Sequence, residues 1–322
     1  MGDIFHPIYF FQVSLYAIIS CKEARQVEKF TQSLTSPKAL NDIISRHGFS
    51  FSKTLGQNFL IDRNILDKII DGANISPGDN VLEVGPGVGT LTRELAGKAK
   101  DVVAVEIDKA LMPILEETLG DLDNVSIVQG DILKLDLYDL IARYFDDERF
   151  KVVANLPYYI TTPIIMNFLE SGVPVDSIIV MVQKEVAQRM AAQPCSKDYG
   201  ALTVAVNYYS KPRIITKAPA SVFMPKPKVD SMVIALDRRE EPPVLVWDKE
   251  LFFKVIKSAF SMRRKTLLNS LSNLEAYTGL TKDALRSALN ACGIDGGRRG
   301  ETLSIEEFAM VTNSINDILK KD

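Results

Sequence analysis

The sequence has little cysteine, histidine or tryptophan, with three, two and one of these residues in a chain of 322. Cys21, Cys195 and Cys292 lie far apart, no two of them form a CxxC pair, and neither histidine accompanies them. This spacing supports neither a disulfide framework nor a zinc site, so we expect no bound metal.

An excess of basic charge is also absent, since 38 Lys and Arg residues stand against 41 Asp and Glu, for a net charge of −3 at pH 7. A protein with this balance does not bind nucleic acid through its overall charge, so any such contact must come from local basic patches. The 46% hydrophobic content of 322 residues is enough for a full α/β core and a smaller second domain.

The N-terminal region differs in character from the rest of the chain. Ile8 to Cys21 is almost wholly apolar, but its 14 residues are fewer than the roughly 20 that a membrane-spanning helix needs. As a secretory signal it would end in a lipoprotein-type site at Cys21, yet Asp3 precedes it and no Lys or Arg does. We expect residues 1–33 to be a dispensable extension or the product of a start assigned too far upstream, and we expect no attachment to a membrane.

Short runs rich in β-branched residues alternate with helical stretches through the middle of the chain. These runs are Val81–Val84, Val102–Ile107, Val125–Val128, Val152–Ala154 and Ile178–Val182. The alternation predicts an α/β, Rossmann-like domain with a parallel sheet covered by helices on both faces. Three later runs, Ala201–Tyr209, Arg213–Thr216 and Ser231–Leu236, are separated by turn residues, so we expect antiparallel strands to complete the sheet.

A charged, proline-containing break at Glu240–Pro243 separates this domain from a segment with helical apolar spacing. We therefore predict a Rossmann-like domain over residues 34–240 and a small C-terminal all-helical domain over residues 241–322. Ser304 and Glu307 have the spacing of a capping box, which predicts the start of the last helix.

A glycine-rich loop follows the first predicted strand of the sheet and precedes a helix. Glu83 to Thr90 spells E-V-G-P-G-V-G-T, a G-x-G-x-G pattern beginning at Gly85 with an acidic residue just before it. A nicotinamide fingerprint would be G-x-G-x-x-G facing a pyrophosphate. The observed pattern instead favours S-adenosylmethionine, which carries a methionine ammonium and carboxylate; the alternative is a purely structural tight turn.

Acidic residues follow the next two strands. Glu106 lies 21 residues after Gly85, where a carboxylate can accept the two ribose hydroxyls of the cofactor. Asp131 follows the third strand and can accept the amino group of its adenine. Each acid alone would more often be a solvated strand end or a helix cap, but together they indicate a cofactor site.

The tetrapeptide Asn155, Leu156, Pro157 and Tyr158 follows the fourth strand, at the edge where open α/β sheets place their active sites. The lone pair of an adenine amino nitrogen is delocalised into the ring. The Asn155 oxygen and a backbone carbonyl next to Pro157 can accept its two N–H bonds and favour a pyramidal nitrogen facing the methyl donor. Tyr158 offers a face on which an extruded base can stack. The alternative is a proline-rigidified turn with a core tyrosine.

A second aromatic candidate, Phe223, lies in a loop that two prolines make extended and that carries Lys226 and Lys228. Phe223 can sandwich the base opposite Tyr158, or it is an apolar plug between sheet and loop. The lysines suit a phosphate backbone.

Basic residues also cluster in the helical domain, at Arg263, Arg264 and Lys265, while Arg298 and Arg299 lie in a glycine loop. These suit RNA phosphates, although a basic run is often only a solvated helix face.

Several of these motifs, in this order, resemble the ribosomal small-subunit RNA adenine dimethyltransferases of the KsgA type. The similarity runs from about Leu34 to the C-terminus through Leu55–Leu60, the glycine loop, the active-site tetrapeptide, Phe223–Ser231 and Ala259–Leu267. The resemblance implies a class I methyltransferase sheet, and it implies that Asn58 and Leu60 line the cofactor pocket with Gly85, Glu106, Asp131 and Asn155.

The resemblance further implies two adjacent adenosines near the 3′ end of 16S rRNA as substrate, in a hairpin loop of the 30S subunit or its precursor. Each adenosine would be methylated twice, in the cytoplasm, with a role in small-subunit biogenesis. We expect the protein to act as a monomer. The segment from Met1 to about Thr31 has no counterpart in this family.

Two alternatives remain open at this point. One is the related large-subunit RNA adenine methyltransferase that confers macrolide resistance, which has the same fold and a similar tetrapeptide. The other is a non-catalytic assembly factor that binds immature small subunits. The Arg-Arg-Lys segment and the Phe223 loop favour the small-subunit enzyme, and the intact Asn155, Tyr158 and Glu106 favour catalysis.

Overall fold

The computed structural model describes Phe30, residues 33–52 and residues 54–320. The predicted extension, residues 1–33, therefore lies almost entirely outside the described residues. The strands are β1 Phe59–Leu60, β2 Asn80–Val84, β3 Asp101–Glu106, β4 Val125–Gln129, β5 Phe150–Asn155, β6 Val175–Gln183, β7 Ser210–Ala218, β8 Phe223–Met224 and β9 Ser231–Arg238.

The helices alternate with these strands and then follow them without interruption. They are α1 Pro37–Arg46, α2 Arg63–Ala73, α3 Thr90–Ala96, α4 Met112–Leu119, α5 Leu137–Phe145, α6 Thr161–Glu170, α7 Lys184–Met190, α8 Ala201–Tyr209, α9 Lys249–Ser261, α10 Leu267–Leu271, α11 Glu275–Thr278, α12 Lys282–Ala291 and α13 Ile305–Leu319. Short 3₁₀ turns lie at Lys109–Leu111, Ala220–Val222, Ser272–Leu274 and Gly300–Thr302.

Seven strands form one sheet in the order β4-β3-β2-β5-β6-β9-β7. Pairing is parallel from β4 to β6, and β9 runs antiparallel to both β6 and β7. The predicted parallel strands and antiparallel completion are confirmed. The chain reverses its direction of strand addition at β2, so a crevice opens outside the carboxyl end of that strand.

Side chains on successive sheet residues enter different buried clusters, as the period of two in a strand requires. Leu82, Val103 and Val152 face the helices α5 and α6. Val81 and Val102 face α2 and α3. This two-sided burial explains why the strands are near-continuous apolar runs, and it makes the sheet a rigid base for the loops at its carboxyl edge.

The prediction of a strand at Ala201–Tyr209 is wrong, because this segment is helix α8. The Thr203 hydroxyl accepts from the Gly200 backbone N–H at 3.0 Å and donates to the Arg189 carbonyl, which fixes the first turn. Tyr208 then packs on Phe252 of α9, with ring centroids 5.3 Å apart. A short apolar run that is buried on several sides fits either a strand or a helix, so its periodicity could not decide between them.

Helix α13 begins at the predicted capping box of Ser304 and Glu307. The buried apolar side chains of the C-terminal helices belong to the same cluster as those on one face of the sheet. The Tyr199 hydroxyl, for example, donates to the Leu303 carbonyl at 2.8 Å. The domain boundary near residue 240 stays a prediction. Among the residues that the structure describes, no helix combines the length and apolarity needed to span a membrane.

Candidate active site

A cleft of about 1040 Å³, including its open mouth, lies at the carboxyl edge of the sheet above β2. Three groups of residues line it: Leu55–Leu60, the glycine loop that follows β2, and the ends of β3, β4 and β5. The predicted cofactor residues and the active-site tetrapeptide all line this one cleft: Asn58, Leu60, Gly85, Glu106, Asp131, Asn155, Leu156, Pro157 and Tyr158.

The glycine loop needs glycine for two different reasons. Gly85, Gly87 and Gly89 all have positive φ, at 71°, 62° and 85°, where other residues are strained. A Cβ on Gly89 would lie 2.9 Å from Leu119, whereas a Cβ on Gly85 would meet no protein atom within 4 Å. The loop therefore packs closely against the protein at Gly89 and leaves open space at Gly85, where a ligand can approach the backbone.

Glu106 ends β3 as a buried carboxylate, 4% exposed. It accepts from the backbone N–H of Asp108 at 2.8 Å and more weakly from that of Gly87 at 3.4 Å. Burial raises its pKa to about 7, against the lowering effect of these hydrogen bonds. Its two oxygens thus lie between the glycine loop and the segment after β3, as the ribose role requires.

Glu83, the acidic residue that precedes the glycine loop, is a second buried carboxyl group in this cleft, and its burial is not evident from the sequence. It is 1% exposed, and within the described residues its Oε2 atom has no hydrogen-bond partner. Burial raises its pKa to about 8; the Thr92 hydroxyl opposes this and the Glu106 carboxylate adds to it. An unpartnered buried carboxyl group of this kind is suited to a cationic ligand group such as an ammonium.

These two carboxyl groups predict a pH dependence of stability. Because their folded pKa values lie above the usual 4.5, the folded state holds protons that the unfolded state has lost. The contribution of these two groups to the free energy of unfolding is therefore fully present below about pH 4.5. It is lost as the pH rises toward about 7 for Glu106 and about 8 for Glu83, by about 1.4 kcal/mol per pH unit for each proton held. Urea denaturation of the ligand-free protein between pH 5 and 8 measures this decline.

The Glu83→Gln variant is the control for this dependence, since it keeps the shape and removes the titrating proton. We expect a shallower decline of unfolding free energy in this variant. An identical slope in wild type and variant would show that Glu83 is already ionised at pH 5.

The segment before β1 crosses the cleft from one side to the other. Gln57 Nε2 donates to Asp108 Oδ2 at 2.6 Å beyond β3. At the other side the Asn58 carbonyl accepts from Asn155 Nδ2 at 2.9 Å. Gln57 and Asn58 are therefore held between the segment after β3 and the end of β5, while Leu60 is placed by its pairing with Phe223 of β8.

The side-chain amide of Asn155, the last residue of β5, already forms one hydrogen bond within the protein. Because Nδ2 donates to Asn58, the amide oxygen is the end left for a ligand. The Pro157 carbonyl already accepts from the Thr161 hydroxyl at 3.0 Å. The carbonyl next to it, that of Leu156, accepts no hydrogen bond from the described part of the chain. Among the described residues, the Asn155 amide oxygen and the Leu156 carbonyl, on consecutive residues, are thus two acceptors without a donor.

The two aromatic candidates differ in where they lie. Tyr158 lines the cleft, half-buried, with its hydroxyl 2.8 Å from Ser231 Oγ, and burial raises its pKa. Phe223 is 3% exposed in the apolar cluster behind β1, because β8 pairs with β1 and places Phe223 opposite Leu60. Phe223 does not line the cleft in this conformation, which fits the apolar-plug alternative; its stacking role stays a prediction.

The basic residues predicted to contact RNA are mostly exposed, namely Lys226, Lys228, Arg263, Arg264 and Lys265. Arg263 also donates to the Lys197 carbonyl at 2.6 Å. Arg298, by contrast, forms a two-pronged ion pair with Glu307 and donates to the Thr302 carbonyl. Arg298 therefore stabilises its own loop through contacts within the protein. These contacts account for the position of its guanidinium without an RNA phosphate.

The sheet order and the site together define a class of enzyme. A doubly wound sheet, a glycine loop at its switch point, a buried carboxyl group at the end of the next strand and a second buried carboxyl group, unpartnered among the described residues, form a site that fits S-adenosylmethionine. The protein is an S-adenosylmethionine-dependent class I methyltransferase.

Comparison with known proteins identifies the particular family. A family model described as Ribosomal RNA adenine dimethylase matches residues 48–317. The chain belongs to this family.

Among similar proteins is the Ribosomal RNA small subunit methyltransferase A of Alkaliphilus oremlandii (strain OhILAs), 56% identical over 282 residues, which are 88% of this chain and 98% of that protein. The protein of that name from Clostridioides difficile (strain 630) is 54% identical over 283 residues, 88% of this chain and 97% of its own.

Two solved structures of methyl-transferring enzymes are also similar to this chain. A dimethyladenosine transferase from Plasmodium falciparum matches with a TM-score of 0.66 and 26% identity over 79% of this chain and 95% of its own. The 23S rRNA methyltransferase ErmE matches with a TM-score of 0.61 and 28% identity over 80% of this chain and all of its own.

Proposed function

We propose that this protein transfers methyl groups from S-adenosylmethionine to the N6 atoms of two adjacent adenosines in 16S rRNA. The two adenosines would lie in a hairpin loop near the 3′ end, within the 30S subunit or its precursor, and each would receive two methyl groups. The protein would thereby take part in small-subunit biogenesis, as a monomer in the cytoplasm.

The observation that carries the proposal is the free amide oxygen of Asn155 beside the free Leu156 carbonyl. An amino group that donates to both acceptors is held with its nitrogen lone pair directed away from them. Relatives at 54–56% identity named small subunit methyltransferase A support the choice of RNA.

The chain's own residues divide the remaining tasks. Glu106 would accept the ribose hydroxyls, Asp131 the adenine amino group, and Glu83 would pair with the methionine ammonium, while Gly85, Asn58 and Leu60 complete the pocket. S-Adenosylmethionine supplies an electrophilic methyl group on a sulfonium. Tyr158, fixed by Ser231, would stack on the extruded base. No strong base is required, because the methylated amino nitrogen is cationic and loses its proton readily.

The exposed basic turn of Arg263, Arg264 and Lys265 would bind RNA phosphates, together with Lys226 and Lys228 in the loop after β8. We expect the double variant Arg264→Ala/Lys265→Ala to bind 30S subunits about tenfold more weakly at 0.15 M salt, with a smaller dependence of affinity on salt. Filter binding at several salt concentrations measures both, and the affinity for S-adenosylhomocysteine should not change.

A matched control removes two lysines elsewhere. Lys98 and Lys100 precede β3 at the opposite edge of the sheet, where each is ion-paired at the surface. The Lys98→Ala/Lys100→Ala variant should bind subunits as wild type does. Equal weakening in both variants would mean that only overall charge matters, and would contradict a dedicated basic turn.

Methyl transfer to separated ribosomal subunits tests the proposal against the large-subunit alternative. With labelled S-adenosylmethionine and unmethylated subunits, we expect label in the 30S fraction and none in the 50S fraction. Label confined to the large subunit, together with macrolide resistance in cells that express the protein, would establish the alternative instead.

A further inference from the structure

Tyr159, the residue after the active-site tetrapeptide, has no part in the function described so far. Its side chain lines the cleft and is nevertheless 54% exposed. Tyrosine at such a rim gains burial only when something covers it.

Tyr159 and Tyr158 contact different sides of the site. The Tyr158 hydroxyl forms a hydrogen bond with Ser231 Oγ at the start of β9, where β9 pairs with β6. The Tyr159 ring instead lies against Gly56, since a Cβ built there would be 3.5 Å from Tyr159 Cδ1. Gly56 belongs to the segment that crosses the cleft toward Asp108, so Tyr159 is on the cofactor side.

The electrostatic surroundings agree with this placement. Burial raises the pKa of the Tyr159 hydroxyl, and the carboxylates of Asp131 and Glu106 raise it further. These two acids are the residues assigned to the adenine amino group and the ribose hydroxyls. The Tyr159 hydroxyl therefore lies near the two carboxylates proposed to hold the nucleoside.

We propose that Tyr159 is a cofactor-binding residue that covers the adenosine half of S-adenosylmethionine. An aromatic face beside a purine contributes by stacking, which is worth about tenfold in affinity per base. Tyr158 then serves the target base and Tyr159 the cofactor. This inference rests on the proposed assignment of the cleft to S-adenosylmethionine.

Calorimetric titration of the full chain without RNA tests the proposal, with S-adenosylhomocysteine and 5′-methylthioadenosine as ligands. We expect Tyr159→Ala to raise the Kd of both ligands by about tenfold, because methylthioadenosine keeps the adenosine and lacks the amino acid. Tyr159→Phe, which keeps the ring, should remain within about twofold of wild type. Tyr277→Ala, similarly exposed at 50% and not a lining residue of the cleft, is the control and should change neither value.

Three results would overturn the inference. The first is a Tyr159→Ala variant with unchanged Kd for both ligands. The second is a loss of affinity for S-adenosylhomocysteine alone, with unchanged affinity for methylthioadenosine. The third is a higher KM for 30S subunits with unchanged cofactor binding, which would make Tyr159 an RNA contact. A wild-type chain that binds both ligands and methylates no RNA would refute the proposed function and leave this inference standing. Urea denaturation of each variant confirms that folding is preserved.

Discussion

The Asn155→Ala variant is expected to lose methyl transfer by roughly 10²- to 10³-fold in kcat, the loss typical of removing one preorganised hydrogen-bonding group. The side chain supplies one of the two free acceptors and also fixes Asn58 across the cleft. Its removal therefore leaves the target amino group held on one side only. Single-turnover transfer of label to unmethylated 30S subunits measures the chemical step separately from binding.

Asn64→Ala is the matched control for this variant. Asn64 is an exposed asparagine in α2, so its replacement should leave the rate unchanged. An Asn155→Ala protein that loses methylation and still binds small subunits would show that catalysis and a role in assembly are separable. Equal methylation by Asn155→Ala and wild type would refute the catalytic assignment.

The Glu106→Ala variant is expected to bind S-adenosylmethionine about 100-fold more weakly, because hydrogen bonds to a charged group contribute about 1.5–3 kcal/mol each. The buried carboxylate would otherwise accept the ribose hydroxyls, and it also accepts from the backbone N–H groups of Gly87 and Asp108. Removing this carboxylate therefore has two effects: the ligand loses its hydrogen-bond acceptors, and the glycine loop loses a contact that holds it in place. Equilibrium dialysis with labelled S-adenosylmethionine measures the change.

Asp101→Ala provides a control on the same strand. Asp101 begins β3 at the edge of the sheet away from the cleft, so this variant should bind the cofactor as wild type does. A Glu106→Ala protein with the affinity of wild type would mean that the ribose is held elsewhere, and the cofactor would then have to lie differently in the cleft.

The sequence predicts the sheet well because the signal for it is local. Five parallel strands each appear as an apolar run, and the candidate site residues follow directly where the strands end. Gly85, Glu106, Asp131 and Asn155 could be placed at one edge because parallel strands share their carboxyl ends.

Features that depend on distant contacts could not be predicted in this way. Phe223 is buried because β8 pairs with β1, more than 160 residues earlier in the chain, and no local pattern reports that pairing. Arg298 looked available for RNA because it lies in a loop, and only the fold shows that this loop brings it to Glu307 of α13. Ala201–Tyr209 became a helix through the packing of Tyr208 on α9.

Glu83 and Tyr159 are a different case, because their positions were visible in the sequence and their roles were not. The sequence shows Glu83 as the acidic residue before the glycine loop, and only the structure shows that it is buried with no hydrogen-bond partner for Oε2 among the described residues. Tyr159 is one residue beyond the tetrapeptide, and only the direction of its ring separates it from Tyr158.

Mass-spectrometric mapping of 16S rRNA is the most direct test of the proposed reaction, after unmethylated 30S subunits have been incubated with the protein and labelled S-adenosylmethionine. We expect two neighbouring N6,N6-dimethyladenosines near the 3′ end, and none with Asn155→Ala. Methylation at any other base, or at none, in a preparation that binds the cofactor normally would contradict it.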